Sequence, residues 1–196
     1  MNFLGVDTSS EYLTVIAAKG ERSETRFIKD CLRNHSVRLM DEIGSALSAL
    51  SMKPSDCDFF AAVTGPGSFT GIRIGISTVK GLCLGTGKPA LAVTSFEVLA
   101  YAEKDEKLLT VIDAGHGCLY AAGYEGRKLV IPPAYRSKEE AEAFVKEGYR
   151  PVDWKSSDPA AGFFKAVREN FLNVRPAKEL AALYLRKSSA EENLKK

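Results

Sequence analysis

The sequence predicts an α/β fold of two related lobes, each a mixed β-sheet flanked by helices. Three observations carry this. Short β-leaning runs alternate with stretches whose apolar residues recur every four positions, as on an amphipathic helix. A continuous apolar run, Phe59-Phe60-Ala61-Ala62-Val63-Thr64, leads through a helix to a second one at Ala90–Val93, and such a strand–helix–strand passage implies a right-handed crossover and parallel pairing. The second half also restarts the first: Leu108-Leu109-Thr110-Val111-Ile112-Asp113-Ala114-Gly115 echoes Phe3-Leu4-Gly5-Val6-Asp7-Thr8-Ser9, each an apolar strand ending in Asp and small residues. The lobes are assigned to residues 1–104 and 105–196.

In the first lobe, Phe3–Val6, Tyr12–Ala18 and Glu24–Ile28 read as a three-stranded meander, with Lys19-Gly20-Glu21 as one turn. From Ser36, Leu39, Ile43, Leu47 and Leu50 mark a helix that ends before Lys53-Pro54-Ser55. Phe59–Thr64 reads as a strand buried on both faces. It enters Gly65-Pro66-Gly67-Ser68-Phe69-Thr70-Gly71, a helix from Ile72 to about Leu84, the strand Ala90–Val93, and a helix beginning near Ser95. In the second lobe, strands at Leu108–Gly115, Cys118–Tyr124 and Lys128–Ile131 precede a charged helix, Lys138–Lys146. Phe163–Phe171 and Lys178–Tyr184 read as helices, and Glu191–Lys196 as a charged tail.

Composition narrows the function. With 27 basic and 25 acidic residues, the net charge of +2 gives no global nucleic-acid footprint, so an RNA contact would be local or through a partner. The four cysteines, Cys31, Cys57, Cys83 and Cys118, show no C-x-x-C spacing and argue against zinc. No run reaches the roughly 18–20 apolar residues of a membrane span, and no signal-type stretch opens the chain, so a cytoplasmic protein with reduced thiols is expected.

Asp7-Thr8-Ser9 and Asp113-Ala114-Gly115 could offer turn N–H groups and hydroxyls to a phosphate, with Asp holding a metal-bound water. Either one, taken singly, reads first as an ordinary Asx turn; it is the pairing that points to a phosphate. The glycine-rich stretch is neither a Walker A loop nor a dinucleotide fingerprint. Glycine costs about 1 kcal/mol against alanine inside a helix, yet Gly71, Gly75 and Val79 form a small-residue stripe. That stripe admits a partner's backbone or the chain's own sheet.

Gly65–Gly75, with Asp7-Thr8-Ser9 and Tyr184-Leu185-Arg186-Lys187-Ser188, resembles the TsaB (YeaZ) family, accessory proteins of threonylcarbamoyladenosine formation beside the tRNA anticodon. The resemblance implies the actin-like/sugar-kinase/Hsp70 (ribonuclease H-like) fold, in which two such Asp loops grip a nucleotide across a cleft. It also implies pairing with the catalytic paralogue TsaD, recruitment of the ATPase TsaE through that pair, tRNA contact only through the complex, and a homodimer when alone. The His-x-x-x-His metal pair of the paralogue falls, by order, at Ser95 and Leu99. Neither is an imidazole, so no catalytic residue, no metal site and no tightly bound cofactor are expected, with ATP or ADP confined to the partner complex. No adenosine-holding glycine pair is evident; Ala160-Ala161-Gly162 is the nearest. The expected partner surface comprises Leu39, Ile43, Gly71, Arg73, Gly75 and Val79; Asp7, Thr8, Ser9 and Asp113 are vestigial phosphate positions. The alternative is a small phosphotransferase or ATPase working through Asp7 and Asp113; a homodimer binding an unrelated ligand is a third reading.

Overall fold

A computed structural model describes residues 1–31 and 33–186. Strands β1 (Asn2–Asp7), β2 (Leu13–Lys19) and β3 (Arg22–Ile28) form the antiparallel meander. Helix α1 (His35–Ala49) then leads to β4 (Phe59–Val63), α2 (Phe69–Thr86), β5 (Ala90–Val93) and α3 (Ser95–Ala102). The first sheet has the order β3-β2-β1-β4-β5, with β1, β4 and β5 parallel.

The second lobe repeats the scheme. Strands β6 (Lys107–Gly115), β7 (Cys118–Glu125) and β8 (Lys128–Ser137) form a meander, α4 (Lys138–Lys146) crosses over, and β9 (Arg150–Val152) pairs parallel with β6. Helix α5 (Pro159–Asn170) follows β9, and the order β8-β7-β6-β9 is that of the first sheet without an equivalent of β5. The architecture is the actin-like/sugar-kinase/Hsp70 (ribonuclease H-like) fold.

Period-2 alternation decides the layering. Leu4, Val6, Val15, Ala17, Phe60 and Ala62 face α1 and α2, whereas Phe3, Ile16, Phe59, Ala61 and Val63 face α3 and α5. The same inner core takes Leu108, Ile112, Ala122 and Val152 from the second sheet. Helices α3 and α5 therefore lie between the two sheets and belong to both lobes. On the outer face of the second sheet, α4 covers Leu109 and Ala121 with Ala141 and Phe144.

Several elements differ from the sequence expectation: β8 continues to Ser137, α5 begins at Pro159, the short β9 has no counterpart there, and two further differences bear on the site. Helix α2 begins at Phe69 rather than Ile72, because the Ser68 side chain accepts the Gly71 N–H and so caps the first turn. No helix forms over Lys178–Tyr184: after a single 3₁₀ turn, Ala177–Glu179, the chain runs without regular structure. Leu180 is buried in the core beneath α1 and α2, and the Leu183 N–H donates to the Thr64 carbonyl. Those attachments to the first lobe override helix propensity. Arg175 likewise exchanges both backbone hydrogen bonds with Ala90. Lys187-Ser188 and the charged tail Glu191–Lys196 lie outside the described residues.

Candidate functional site

The two Asp loops are alike in covalent pattern and opposite in environment. The Asp7 carboxylate accepts the Ser9 N–H at 2.8 Å, and the Asp113 carboxylate accepts the Gly115 N–H at 2.8 Å, so both close an Asx turn. Asp7, Thr8 and Ser9 are buried; Asp113 is exposed. Burial pushes the Asp7 carboxyl above its ordinary value, against the opposing effect of its hydrogen bonds with Ser9 and the proximity of His35.

What buries the first loop is the glycine-rich stretch. The Ser68 N–H donates to the Ser9 carbonyl at 2.7 Å, and the Thr8 hydroxyl donates to the Gly71 carbonyl at 2.7 Å. A Cβ at Gly71 would lie 2.0 Å from the Thr8 carbonyl oxygen, and one at Gly75 would lie 2.6 Å from the Thr8 hydroxyl. The glycines let α2 sit directly on the loop. From α3, the Ser95 hydroxyl donates to the Ser9 hydroxyl at 3.2 Å, which completes the closure.

The structure thus corrects the expected partner surface. Gly71, Gly75 and Val79 face the chain's own first sheet and loop, and Leu39 and Ile43 are in the core under α1. Of the six, Arg73 alone is exposed, and its guanidinium lies 3.8 Å from the centroid of the Phe69 ring while Nε donates to the Tyr184 hydroxyl. Leu99, the second position of the absent histidine pair, is fully buried in the inner core. Among the described residues no group of three or more His, Cys, Asp or Glu side chains could hold a metal ion. Ala160-Ala161-Gly162 is the first turn of α5: a Cβ at Gly162 would lie 2.0 Å from the Val98 carbonyl, so this glycine serves the α3–α5 contact.

An open cleft of about 640 Å³ remains between the lobes, walled by Ser9, Ser10 and Glu11 on one side and Asp113, Asp153 and Lys155 on the other. It carries three carboxylates against one ammonium group. Asp153 is held by its own loop: burial works to raise its pKa, but hydrogen bonds from the Ser156 hydroxyl and from the backbone N–H groups of Ser156 and Lys155 outweigh it and hold the carboxyl below its usual range.

Sequence reasoning singled out the buried stripe of α2 and missed the outward one. Gly44 on α1 and Gly81 and Gly85 on α2 have nothing within 4 Å of where a Cβ would stand. They share the outer surface with Val37 and Met40, which are 72% and 57% exposed, and Leu84, 83% exposed. The signal was the phase of the glycines: Gly81 and Gly85 are out of register with Gly71, Gly75 and Val79.

Comparison with known proteins matches this architecture. The family model described as TsaD, tRNA N6-adenosine threonylcarbamoyltransferase, aligns with residues 29–148, more than half of the chain. A Bacillus subtilis protein, tRNA threonylcarbamoyladenosine biosynthesis protein TsaB, is 31% identical over 158 residues, 78% of this chain and 69% of that relative. The chain belongs to the TsaB/YeaZ family. The Escherichia coli TsaB is 31% identical over 129 residues, which is 64% of this chain and 55% of its own length. YeaZ from Pseudomonas aeruginosa superposes with a TM-score of 0.82 at 25% identity, covering 94% of this chain and 99% of that structure.

Proposed function

We propose that this TsaB/YeaZ-family chain takes part in threonylcarbamoyladenosine formation on tRNA as a non-catalytic accessory subunit. It docks a TsaD-type paralogue and, through it, a TsaE-type ATPase, and supports modification of the adenosine next to the anticodon without making or breaking a bond itself. The observation that carries this reading is the closed first loop. Gly67–Gly71 close over Asp7-Thr8-Ser9, with the Ser68 N–H on the Ser9 carbonyl, the Thr8 hydroxyl on the Gly71 carbonyl and the Ser9 N–H on Asp7, which favours a packed loop over a phosphate site. The remaining cleft is acidic, which opposes a polyphosphate in the absence of a cation. Position 95 bonds Ser9, and position 99 is core.

The outward faces of α1 and α2 supply the docking surface in this proposal. Small residues there admit a partner helix closely, and Val37, Met40 and Leu84 supply apolar anchors. The test is co-purification with TsaD and TsaE homologues followed by a tRNA modification assay that omits each component in turn. Modification that needs this chain yet survives Asp7→Ala supports the accessory role. Hydrolysis of Mg-ATP by the isolated chain, lost in Asp7→Ala, would instead establish the phosphotransferase reading.

A further inference from the structure

The outer stripe of α2 carries a charge as well as an apolar anchor. Arg73, Ser77, Gly81 and Leu84 recur at helical spacing and are all exposed, so they share one free face. Arg73 stands near the N-terminal end of that face and is held from two sides. Its guanidinium carbon lies 3.8 Å from the centroid of the Phe69 ring, and its Nε donates to the Tyr184 hydroxyl at 3.2 Å. Phe69 and Tyr184 are themselves stacked, with centroids 5.1 Å apart. These contacts fix the guanidinium plane while using one of its faces and one of its five N–H groups. Among the described residues, neither Nη1 nor Nη2 of Arg73 has a hydrogen-bond or ion-pair partner.

We infer that Arg73 is a preformed anchor for an aspartate or glutamate side chain of the TsaD-type paralogue, with Tyr184 as its positioning residue. The inference rests on the docking reading above and adds the chemistry that the partner brings to this end of the face. Two free Nη groups at the end of a planar guanidinium match the two oxygens of a carboxylate. A long side chain ordinarily loses rotamer freedom on binding; here the stack and the Nε bond have already restricted it. The local field has the same sign. Helix α2 contains Arg73 and Lys80 and no acidic residue, so the positive end of its dipole is left without an acidic side chain of its own. Such an anchor acts on specificity, because a partner with an apolar or basic group at this point would bury the guanidinium unpaired.

The test measures the affinity of the full-length chain for the paralogue by calorimetry, with a thermal melt of every variant. Arg73→Gln keeps the length of the side chain and removes its charge and fork. It should weaken association about thirtyfold while the fold still melts cooperatively. Arg73→Lys keeps the charge without the fork and should recover no more than about threefold of that loss. Tyr184→Phe keeps the ring and removes the acceptor of the Nε proton. It should cost about threefold in the parent and nothing in Arg73→Gln, because it acts through the guanidinium; a merely structural role would give the same loss in both backgrounds. Arg73→Glu, combined in turn with Asp→Arg and Glu→Arg variants of the paralogue, should regain binding to within about tenfold of the parent in one pair. The inference is overturned if Arg73→Gln binds like the parent while Leu84→Asp does not, since docking would then stand on the apolar stripe alone. It is equally overturned if Arg73→Lys matches the parent, if no charge reversal rescues Arg73→Glu, or if Arg73→Gln loses only the binding of a tRNA transcript, which would make the fork a phosphate contact. A parent chain that fails to capture the paralogue overturns the docking reading and this inference together.

Discussion

Gly75 shows what a single position can and cannot disclose. Its place on a small-residue stripe is plain in the sequence, but the face to which the stripe turns is set by the sheet beneath it. With a Cβ there 2.6 Å from the Thr8 hydroxyl and 3.6 Å from Val6, Gly75→Leu is an overpacking change. It should cost about 1–3 kcal/mol or more, and a thermal melt should fall by several degrees before any partner is lost. The Asp pair teaches the same lesson: the echo of Asp7 in Asp113 was legible, and so was the choice between Asx turn and phosphate loop. Burial of only one was not, because Gly67–Gly71 approach Asp7-Thr8-Ser9 from some sixty residues away. Burial has a pH signature. The folded chain holds the Asp7 proton more tightly than the unfolded one, so this group favours folding at acid pH and costs stability as pH rises above the ordinary carboxylate value of 3.8. Asp7→Asn keeps an acceptor for the Ser9 N–H and removes that cost. Chemical denaturation should find the variant gaining on the parent as pH rises above 3.8; a difference that stays constant from acid to neutral pH would show that Asp7 does not titrate differently on folding.

At the scale of elements, the long strands were the readable part, while the three-residue β9 and the second half of β8 were not. Phe59–Val63 was apolar throughout because both faces are covered, and the meanders announced themselves through short runs and turns. Helix ends were less legible, since the start of α2 depends on a cap three residues ahead of the periodic stretch, and the segment after Ala177 obeys tertiary attachment rather than local preference. Helix α1 carries two further tests. Gly44 is a helix-interior glycine with open space where its Cβ would stand, so Gly44→Ala should stabilise the isolated chain by about 0.5–1 kcal/mol, a rise of roughly 1–4 °C in Tm. The same helix is tied to β3 by Glu42, whose carboxylate accepts from Arg26 Nε at 3.0 Å and Arg38 at 2.9 Å. Burial works to raise its pKa, but the two guanidinium groups outweigh it and hold the carboxyl below the ordinary 4.5. A lowered folded value means that the stabilisation is present above the ordinary carboxylate range and lost as pH falls through the folded value. Glu42→Gln should therefore lower Tm at neutral pH and converge with the parent in acid.

At the scale of the whole molecule, two sheets repeat one strand order and share one interior. Helices α3 and α5 pack on each other and on both sheets, so the lobes have little freedom to open around the cleft. The outer layer is unequal. Among the described residues, the outer face of the second sheet is covered by α4, while the first carries α1 and α2 side by side, with glycines and exposed apolar side chains on their free faces. A surface suited to a related partner should also accept a second copy of itself, in a two-fold arrangement that sets the same patch against itself. Leu84 offers the cleanest probe, being 83% exposed and at the outer end of α2, where a change of side chain disturbs no internal packing. Leu84→Asp should leave Tm within about a degree, since surface substitutions away from packed features fall within ±0.5 kcal/mol. It should weaken both self-association in sedimentation and capture by the TsaD paralogue, roughly tenfold or more for a buried apolar anchor turned to a carboxylate. Addition of the paralogue to the parent chain should dissolve the homodimer, because the two assemblies compete for one face. Homodimer and heterodimer coexisting on one molecule, or a Leu84→Asp chain that still binds itself and its partner at full strength, would place docking elsewhere. The outward glycines of α1 and α2 would then need another explanation.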